Sequence, residues 1–192
     1  MRETPMLIGI VGHAGAGKST VAKTLVDHGF MRMRFADTLK NMLRVLGLTD
    51  AQLDGHEKER PCALLDWSTP RHAMQTLGTE WGRELISYHL WVNAAMADMD
   101  RRNAIQTFPV VFDDVRFENE AVAIRARGGE IWRVVRGKAG SNVYQHNSEV
   151  VQDHIVADIS IINDDSIEKL ALMAAIKLSH TAPDDIPVNS WK

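Results

Sequence analysis

Eight consecutive residues carry the densest chemistry in the chain: Gly12-His13-Ala14-Gly15-Ala16-Gly17-Lys18-Ser19, directly after the apolar stretch 6–11. They fit the pattern G-x-x-x-x-G-K-[ST]. Glycines let the backbone curl so that successive N–H groups converge on an anion, which a Cβ would obstruct. Lys18 is then placed to reach the β- and γ-phosphates of a nucleoside triphosphate, and the Ser19 hydroxyl to ligate Mg²⁺. A glycine-rich turn beside an unremarkable lysine is the bland alternative. The apolar strand before the run and the helical pattern 19–28 after it argue against that alternative.

A second group closes the apolar run Val110-Val111-Phe112 with Asp113-Asp114, and Arg116 follows two residues on. A carboxylate at the end of a buried strand beside a phosphate loop is where such proteins hold Mg²⁺, directly or through water. Spacing does not choose between Asp113 and Asp114, and solvated turn carboxylates are the ordinary alternative. Arg116 could span the oxygens of a transferring phosphoryl group; its alternative is a salt bridge to Glu118 or Glu120. A third group comprises Arg71, Gln75, Thr79 and Arg83, with Asp37 and Lys40 earlier in the chain. Such cations could grip a second phosphorylated substrate, where the bland reading is ordinary helix-surface arginines.

These residues need elements to position them. Apolar strands are predicted at 6–11, 31–35, 108–112, 130–136 and 159–162, and helices at 19–28, 38–46, 119–127 and 166–178. Residues 50–60 form a polar stretch closed by Pro61, and the tail 182–192, with two prolines, is predicted to fray. Thr69-Pro70 starts a long helix, with Thr69 as N-cap and proline where its missing N–H costs nothing. On a 100° wheel Met74, Leu77, Trp81, Leu85 and Tyr88 form one stripe, the predicted core face. Arg71, Gln75, Gly78 and Gly82 line its neighbour, flanked by Thr79 and Arg83, as a cationic shelf thinned by glycine. Strand–helix alternation with nearly continuous apolar strands predicts an α/β fold, a parallel sheet with helices on both faces. Ligands in such sheets sit beyond the carboxyl ends of the strands. The phosphate loop, Asp37, Asp113, Asp114, Arg116 and Asn163 all fall there, and Asn163 could contact a nucleotide base.

The 192 residues suit a single domain, 1–192, and 45% hydrophobic content is ordinary for a globular chain. A formal net charge of -3 speaks against nucleic acid polymers and anionic membranes as partners. The single cysteine, Cys62, cannot form an internal disulfide and reads as a half-buried small residue. With neither a cleavable leader pattern nor an 18-residue apolar run, the expected location is cytoplasmic. The sequence accommodates a homodimer as well as a monomer.

Several pieces together resemble the deoxynucleoside monophosphate kinases of bacteriophages: Phe35-Ala36-Asp37, Thr69-Pro70-Arg71, Leu77-Gly78-Thr79-Glu80-Trp81-Gly82-Arg83, Asp113-Asp114-Val115-Arg116-Phe117 with Asn119-Glu120, Gly128-Gly129, and His146 with Ser148-Glu149. The resemblance spans roughly residues 6–170. It implies a P-loop NTPase fold of the nucleoside-monophosphate-kinase type, ATP as donor, Mg²⁺, a deoxynucleoside 5′-monophosphate as acceptor, and a place in deoxynucleotide biosynthesis. On that reading Gly12, Ala14, Gly15, Ala16, Gly17, Lys18, Ser19, Thr20 and Asn163 bind ATP; Ser19, Asp113 and Asp114 serve the metal; and Lys18, Arg116 and Asp114 are catalytic. Asp37, Lys40, Arg71, Gln75, Thr79 and Arg83 bind the acceptor within a helical region 38–99, and 137–153 forms a lid. The general plan places several arginines in that lid, whereas this chain has no arginine after Arg136 and one lysine there, Lys138. Arg116, Arg133, Arg136 and Lys138 are the candidates to replace them. Two alternatives stand: a kinase of another small phosphorylated molecule, akin to phosphomevalonate kinase, and an ATPase or switch without an acceptor. The guanine-reading pattern Asn-Lys-x-Asp is absent, which disfavours a GTPase switch.

Overall fold

A computed structural model describes residues 6–136 and 152–181. In chain order the elements are β1 (Leu7–Val11), α1 (Lys18–Asp27), β2 (Met31–Met33), α2 (Asp37–Val45), α3 (Asp50–Leu53), a 3₁₀ turn (Ala63–Leu65), α4 (Pro70–Thr76), a π-helical segment (Leu77–Ile86), α5 (Leu90–Ile105), β3 (Val110–Phe112), α6 (Glu118–Arg125), β4 (Glu130–Arg136), a second 3₁₀ turn (Gln152–His154), β5 (Ile159–Asn163) and α7 (Ile167–Thr181). They divide into two compact units. The first takes the chain up to Met33 and from Gln106 onward; the second is Arg34–Ile105.

The first unit is built on a five-stranded, all-parallel sheet in the order β2-β3-β1-β4-β5. Every residue of β1 is buried, as its central place requires. Alternation then sorts the side chains. Ile8 and Ile10, Val111, Trp132 and Val134, and Ile161 share one face with Val21 and Leu25 of α1 and Leu170 and Ala174 of α7. The other face carries Gly9, over which α6 lies so closely that an added Cβ would stand 2.5 Å from the Ile124 Cδ1. Helices thus cover both faces, as expected. β3 is shorter than the predicted 108–112 because Pro109 has no N–H for the ladder, although its carbonyl still accepts from Met31 N at 2.8 Å. α6 ends where Gly128 turns left-handed at φ 76°, with Gly129 N donating to Ile124 O.

The second unit packs Leu39, Leu43, Leu48, Leu53 and Trp91 together, with Cys62, Met74 and Leu77 against them. Local signals set its helix starts. Thr69 Oγ1 accepts from His72 N at 3.1 Å ahead of Pro70, as predicted. Thr49 and Gln52 form a reciprocal capping box that begins α3 inside the stretch expected to be merely polar.

One expectation fails here for an identifiable reason. Beyond Thr76 the long helix opens into π geometry, with Ser87 N donating to Gly82 O five residues back. A π turn takes an extra residue, so the 100° advance used for the wheel no longer assigns faces. Met74 and Leu77 do reach the core, but Trp81, Leu85 and Tyr88 are exposed. Gly82 is buried instead, and an added Cβ there would lie 2.5–2.6 Å from the Trp91 indole. Trp91 Nε1 donates to Gly78 O at 2.7 Å. Gly82 therefore admits the Trp91 indole. Gly82→Ala should cost about 1–3 kcal/mol by overpacking, whereas Gly78→Ala, whose Cβ would meet Leu39 at an ordinary 3.6 Å, should be tolerated. Urea denaturation followed by near-UV dichroism distinguishes the two.

Candidate active site

In the first unit the chain leaves the centre of the sheet at Val11 and enters the loop. Gly12 and Gly17 adopt φ values of 154° and 105°, and neither has room for a side chain. A Cβ at Gly12 would meet Val134 O at 2.5 Å; one at Gly17 would meet Asn163 Nδ2 and Leu170 Cδ2 at 2.7 Å. Gly17 is the N-cap of α1 and supplies no side-chain cap, so the first amides of a ten-residue helix and its dipole face the loop. Lys18 curls back, its Nζ donating to Gly12 O and, at 3.0 Å, to His13 O. Ser19 is exposed on the first turn. Thr20 is half-buried, its N donating to Gly17 O. Ala14 and Gly15 are exposed at the tip, and Ala16 is buried.

The neighbouring strand brings the carboxylates. Phe112 is the ladder partner of both Gly9 and Met33, so Asp113 leaves the sheet beside the strand that feeds the loop. Asp113 is buried; one oxygen pairs with Arg32 Nη2, while Oδ1 is buried with no hydrogen-bond partner among the described residues. Burying a carboxylate oxygen without a donor is costly, and removing Arg32 would raise that cost further. Asp114 is half-buried beside it. Arg116 is exposed and its guanidinium has no ion pair among the described residues. Glu120 does not pair with it. Instead the buried Glu120 carboxylate accepts from the backbone N–H groups of Arg116, at 2.7 Å, and Phe117, at 3.1 Å, and so fixes the turn that presents Arg116.

Four further contacts brace the loop, and sequence reasoning saw none of them. Asn163 Nδ2 donates to Ala16 O at 2.8 Å, which makes this residue a strut for the loop. Arg136 Nη1 donates to Gly15 O at 3.1 Å. His13 lies between Asp153, 2.9 Å from its Nε2, and Gln152, 3.1 Å from its Nδ1. Arg133, another of the candidate cations, donates to the carbonyls of Gln152 and Ile155 and so holds that turn. Lys138, His146, Ser148 and Glu149 lie outside the described residues, as does the segment 137–153 apart from Gln152 and Asp153.

The second unit carries its own charge cluster. Asp54 Oδ1 accepts from Arg34 Nη1 and Lys40 Nζ, both at 2.6 Å, and its Oδ2 from Arg44 Nη2 at 3.0 Å. Asp37 accepts from Arg34 N at 3.0 Å and Arg34 Nε at 2.7 Å. Burial opposes the Arg34 charge, but Asp37 and Asp54 outweigh it and raise its pKa. Burial likewise opposes the Asp54 charge, yet hydrogen bonds from Lys40 and Arg34 hold its carboxyl down at about 2. Arg71 pairs through Nε with Glu59, and its backbone N donates to Lys58 O at 2.9 Å. Lys58 is pushed down in pKa by burial and by Lys40, Arg71 and Arg34, against the pull of Asp54. Arg83 reaches Tyr88 O at 3.3 Å and lies 6.0 Å over the Tyr88 ring. Gln75 and Thr79 are half-buried. On the expected shelf Arg71 pairs with Glu59 beside Lys58, and Arg83 contacts Tyr88. Arg34, Asp54 and Lys58 are the residues sequence reasoning missed here. The charge-rich stretch 50–60 was the only signal for Asp54 and Lys58.

A parallel sheet with a glycine loop and lysine after its central strand defines a kinase-like P-loop NTPase. The structure of dephospho-CoA kinase from Campylobacter jejuni shares the fold, with a TM-score of 0.50 over 94% of this chain and 99% of that one at 12% identity. The family model for deoxynucleotide monophosphate kinase matches residues 58–173. A putative deoxynucleotide monophosphate kinase of Acanthamoeba polyphaga mimivirus is 34% identical over 183 residues, covering 85% of this chain and 91% of that protein. The chain belongs to the deoxynucleotide monophosphate kinase family, a family of phosphotransferases. Among the described residues no helix is long and apolar enough to cross a membrane.

The depressed Asp54 carboxyl makes a pH prediction. A group whose pKa falls on folding stabilises the fold above its ordinary value, here 3.8, and ceases to do so as pH drops through about 2. Asp54→Asn should therefore destabilise the chain near neutral pH, and its deficit against wild type should shrink as pH falls from about 4 to about 2. Urea titrations at both ends of that window measure the difference.

Proposed function

We propose that the chain transfers the γ-phosphoryl group of ATP to the 5′-phosphate of a deoxynucleoside monophosphate, giving the diphosphate and ADP. The observation that carries this reading is the loop itself: Gly12 to Ser19 in a braced curl at the end of a central strand, beside the buried Asp113. An acceptor phosphate oxygen attacks the γ-phosphorus in line, the bond to the β–γ bridging oxygen breaks, and ADP leaves with that electron pair. The acceptor phosphate has its second pKa near about 6, so it is anionic without a general base. The protein's work is positioning and charge neutralisation.

Lys18 exchanges its loop carbonyls for the β- and γ-phosphates, and the loop amides with the α1 N-terminus bind their oxygens. The oxygens of Ser19 and Asp113 fit Mg²⁺, which takes few protein oxygens and keeps water; the orphaned, buried Oδ1 of Asp113 is the observation in favour, and Asp114 is its neighbouring candidate. When bound, that ion would offset the negative charge of the phosphates. Arg116, presented by the Glu120-fixed turn, steadies the transferring group. Arg136, already at Gly15, is the cation best supported as a substitute for the absent lid arginines. In the second unit Arg71 and Lys40 serve the acceptor phosphate, and Gln75 and Thr79 its nucleoside.

Lys18→Ala should lower kcat by about 10²-fold with folding intact, as loss of a preorganised charge donor does. Near-normal turnover would remove the loop from catalysis. Arg71→Ala should raise KM for the monophosphate by about 10- to 150-fold, the equivalent of one charge-assisted contact, and leave ATP affinity by calorimetry nearly unchanged. ADP formation that is indifferent to added monophosphate would instead make the chain a plain ATPase.

A further inference from the structure

The carboxylate of Asp54 is held as a bound anion would be. Three cations from different parts of the second unit converge on its two oxygens: Arg34 from ahead of α2, and Lys40 and Arg44 from within it. Ion pairs on a solvated surface are single and loose. These donors are mostly withdrawn from water; the Lys40 side chain is only 12% exposed. Lys58 adds an unbalanced charge, having no ion pair among the described residues while sensing Lys40, Arg71 and Arg34 as like charges. Arg34, Lys40, Arg44 and Lys58 together outnumber Asp37, Asp50 and Asp54 by one positive charge. Exchanging the single charge of Asp54 for the double charge of a phosphate monoester would bring the cluster to neutrality.

We infer that Asp54 is an inbuilt stand-in for the acceptor's 5′-phosphate: Arg34, Lys40 and Arg44 form the phosphate subsite, Lys58 adds its charge to it, and the monophosphate dianion binds by displacing the Asp54 carboxylate from it. This rests on the kinase reading above and adds the ligands Arg34 and Arg44, the charge of Lys58, and a competitor that sets affinity. Three terminal phosphate oxygens suit three convergent donors better than a two-oxygen carboxylate does. The competitor keeps the cations paired when no substrate is present, which spares the fold an uncompensated like-charge cluster. It also weakens substrate binding by the free energy needed to expel it, and returning to its place it would speed release.

Calorimetry on the full chain, with the triphosphate loop saturated by a non-hydrolysable ATP analogue, tests the exchange. The probes are deoxynucleoside monophosphate, inorganic phosphate and the unphosphorylated deoxynucleoside. Asp54→Asn should tighten both phosphate-bearing probes by about tenfold, Lys58→Gln should weaken both by about tenfold, and neither should move the deoxynucleoside. Phosphate should also raise the melting temperature of Asp54→Asn more than that of wild type. Unchanged or weaker phosphate binding by a cooperatively melting Asp54→Asn protein would overturn the inference. Should that variant not fold, unchanged binding by Lys58→Gln would do so, since among the described residues Lys58 holds no ion pair whose loss could unfold the chain. The two readings fail separately. Phosphate exchange as expected without turnover of any monophosphate leaves the stand-in and removes the kinase; turnover with both variants binding like wild type leaves the kinase and removes the stand-in.

Discussion

The contact on which the first unit depends is the one between Gly17 and the end of β5. At that point the chain must pass from an extended strand into a helix within a few residues, and it does so through a left-handed turn with Asn163 and Leu170 pressed against it. Asn163 then ties the turn down by its hydrogen bond to Ala16 O. Because β5 is the edge strand, two strands away from β1, the loop's shape is set by the whole width of that side of the sheet. Arg136 at the end of β4 and the Gln152–Asp153 pair ahead of β5 add contacts from the same side. A phosphate-binding loop must hold its amides convergent before the ligand arrives, since ordering them on binding would subtract from affinity. Here the ordering is supplied by the fold.

The second unit solves a different problem. It has to keep several cations close together without a bound anion, and it does so by supplying carboxylates of its own. Asp37 is bonded by both the side chain and the backbone of Arg34, so it serves the local turn into α2. Asp54 has no such backbone duty toward its cations; its bonds to them are side chain to side chain. The two acids, similar on paper, differ in what would be lost by moving them. That difference separates a structural carboxylate from an exchangeable one.

Much of this was legible in the chain, and the legible parts are local or periodic. The phosphate loop follows from eight contiguous residues, β4 was read at its observed bounds of Glu130–Arg136, and the Thr69 cap depends on residues three apart. What escaped was long-range or broke the assumed period. Nothing near Asp113 announces Arg32, because the two meet only once β2 and β3 pair. Asp54 looked like one more charge in a polar stretch, since its partners lie 10 to 20 residues away. The face assigned to Trp81, Leu85 and Tyr88 was wrong because the wheel presumes α geometry, and the demand of the Trp91 indole for space at Gly82 is invisible to any wheel.

That indole has an optical consequence. Trp91 is enclosed in the core of the second unit, its Nε1–H bonded to a backbone carbonyl and Trp81 at 6.3 Å, while Trp132 is fully enclosed in the core of the first with its Nε1–H on Glu130. Among the described residues each unit therefore contains one sequestered tryptophan in a distinct polar setting, and the emission of the two reports on different cores. Replacing the remaining tryptophans by phenylalanine would turn the chain into a two-channel instrument, in which loosening of one unit is seen against the steadiness of the other.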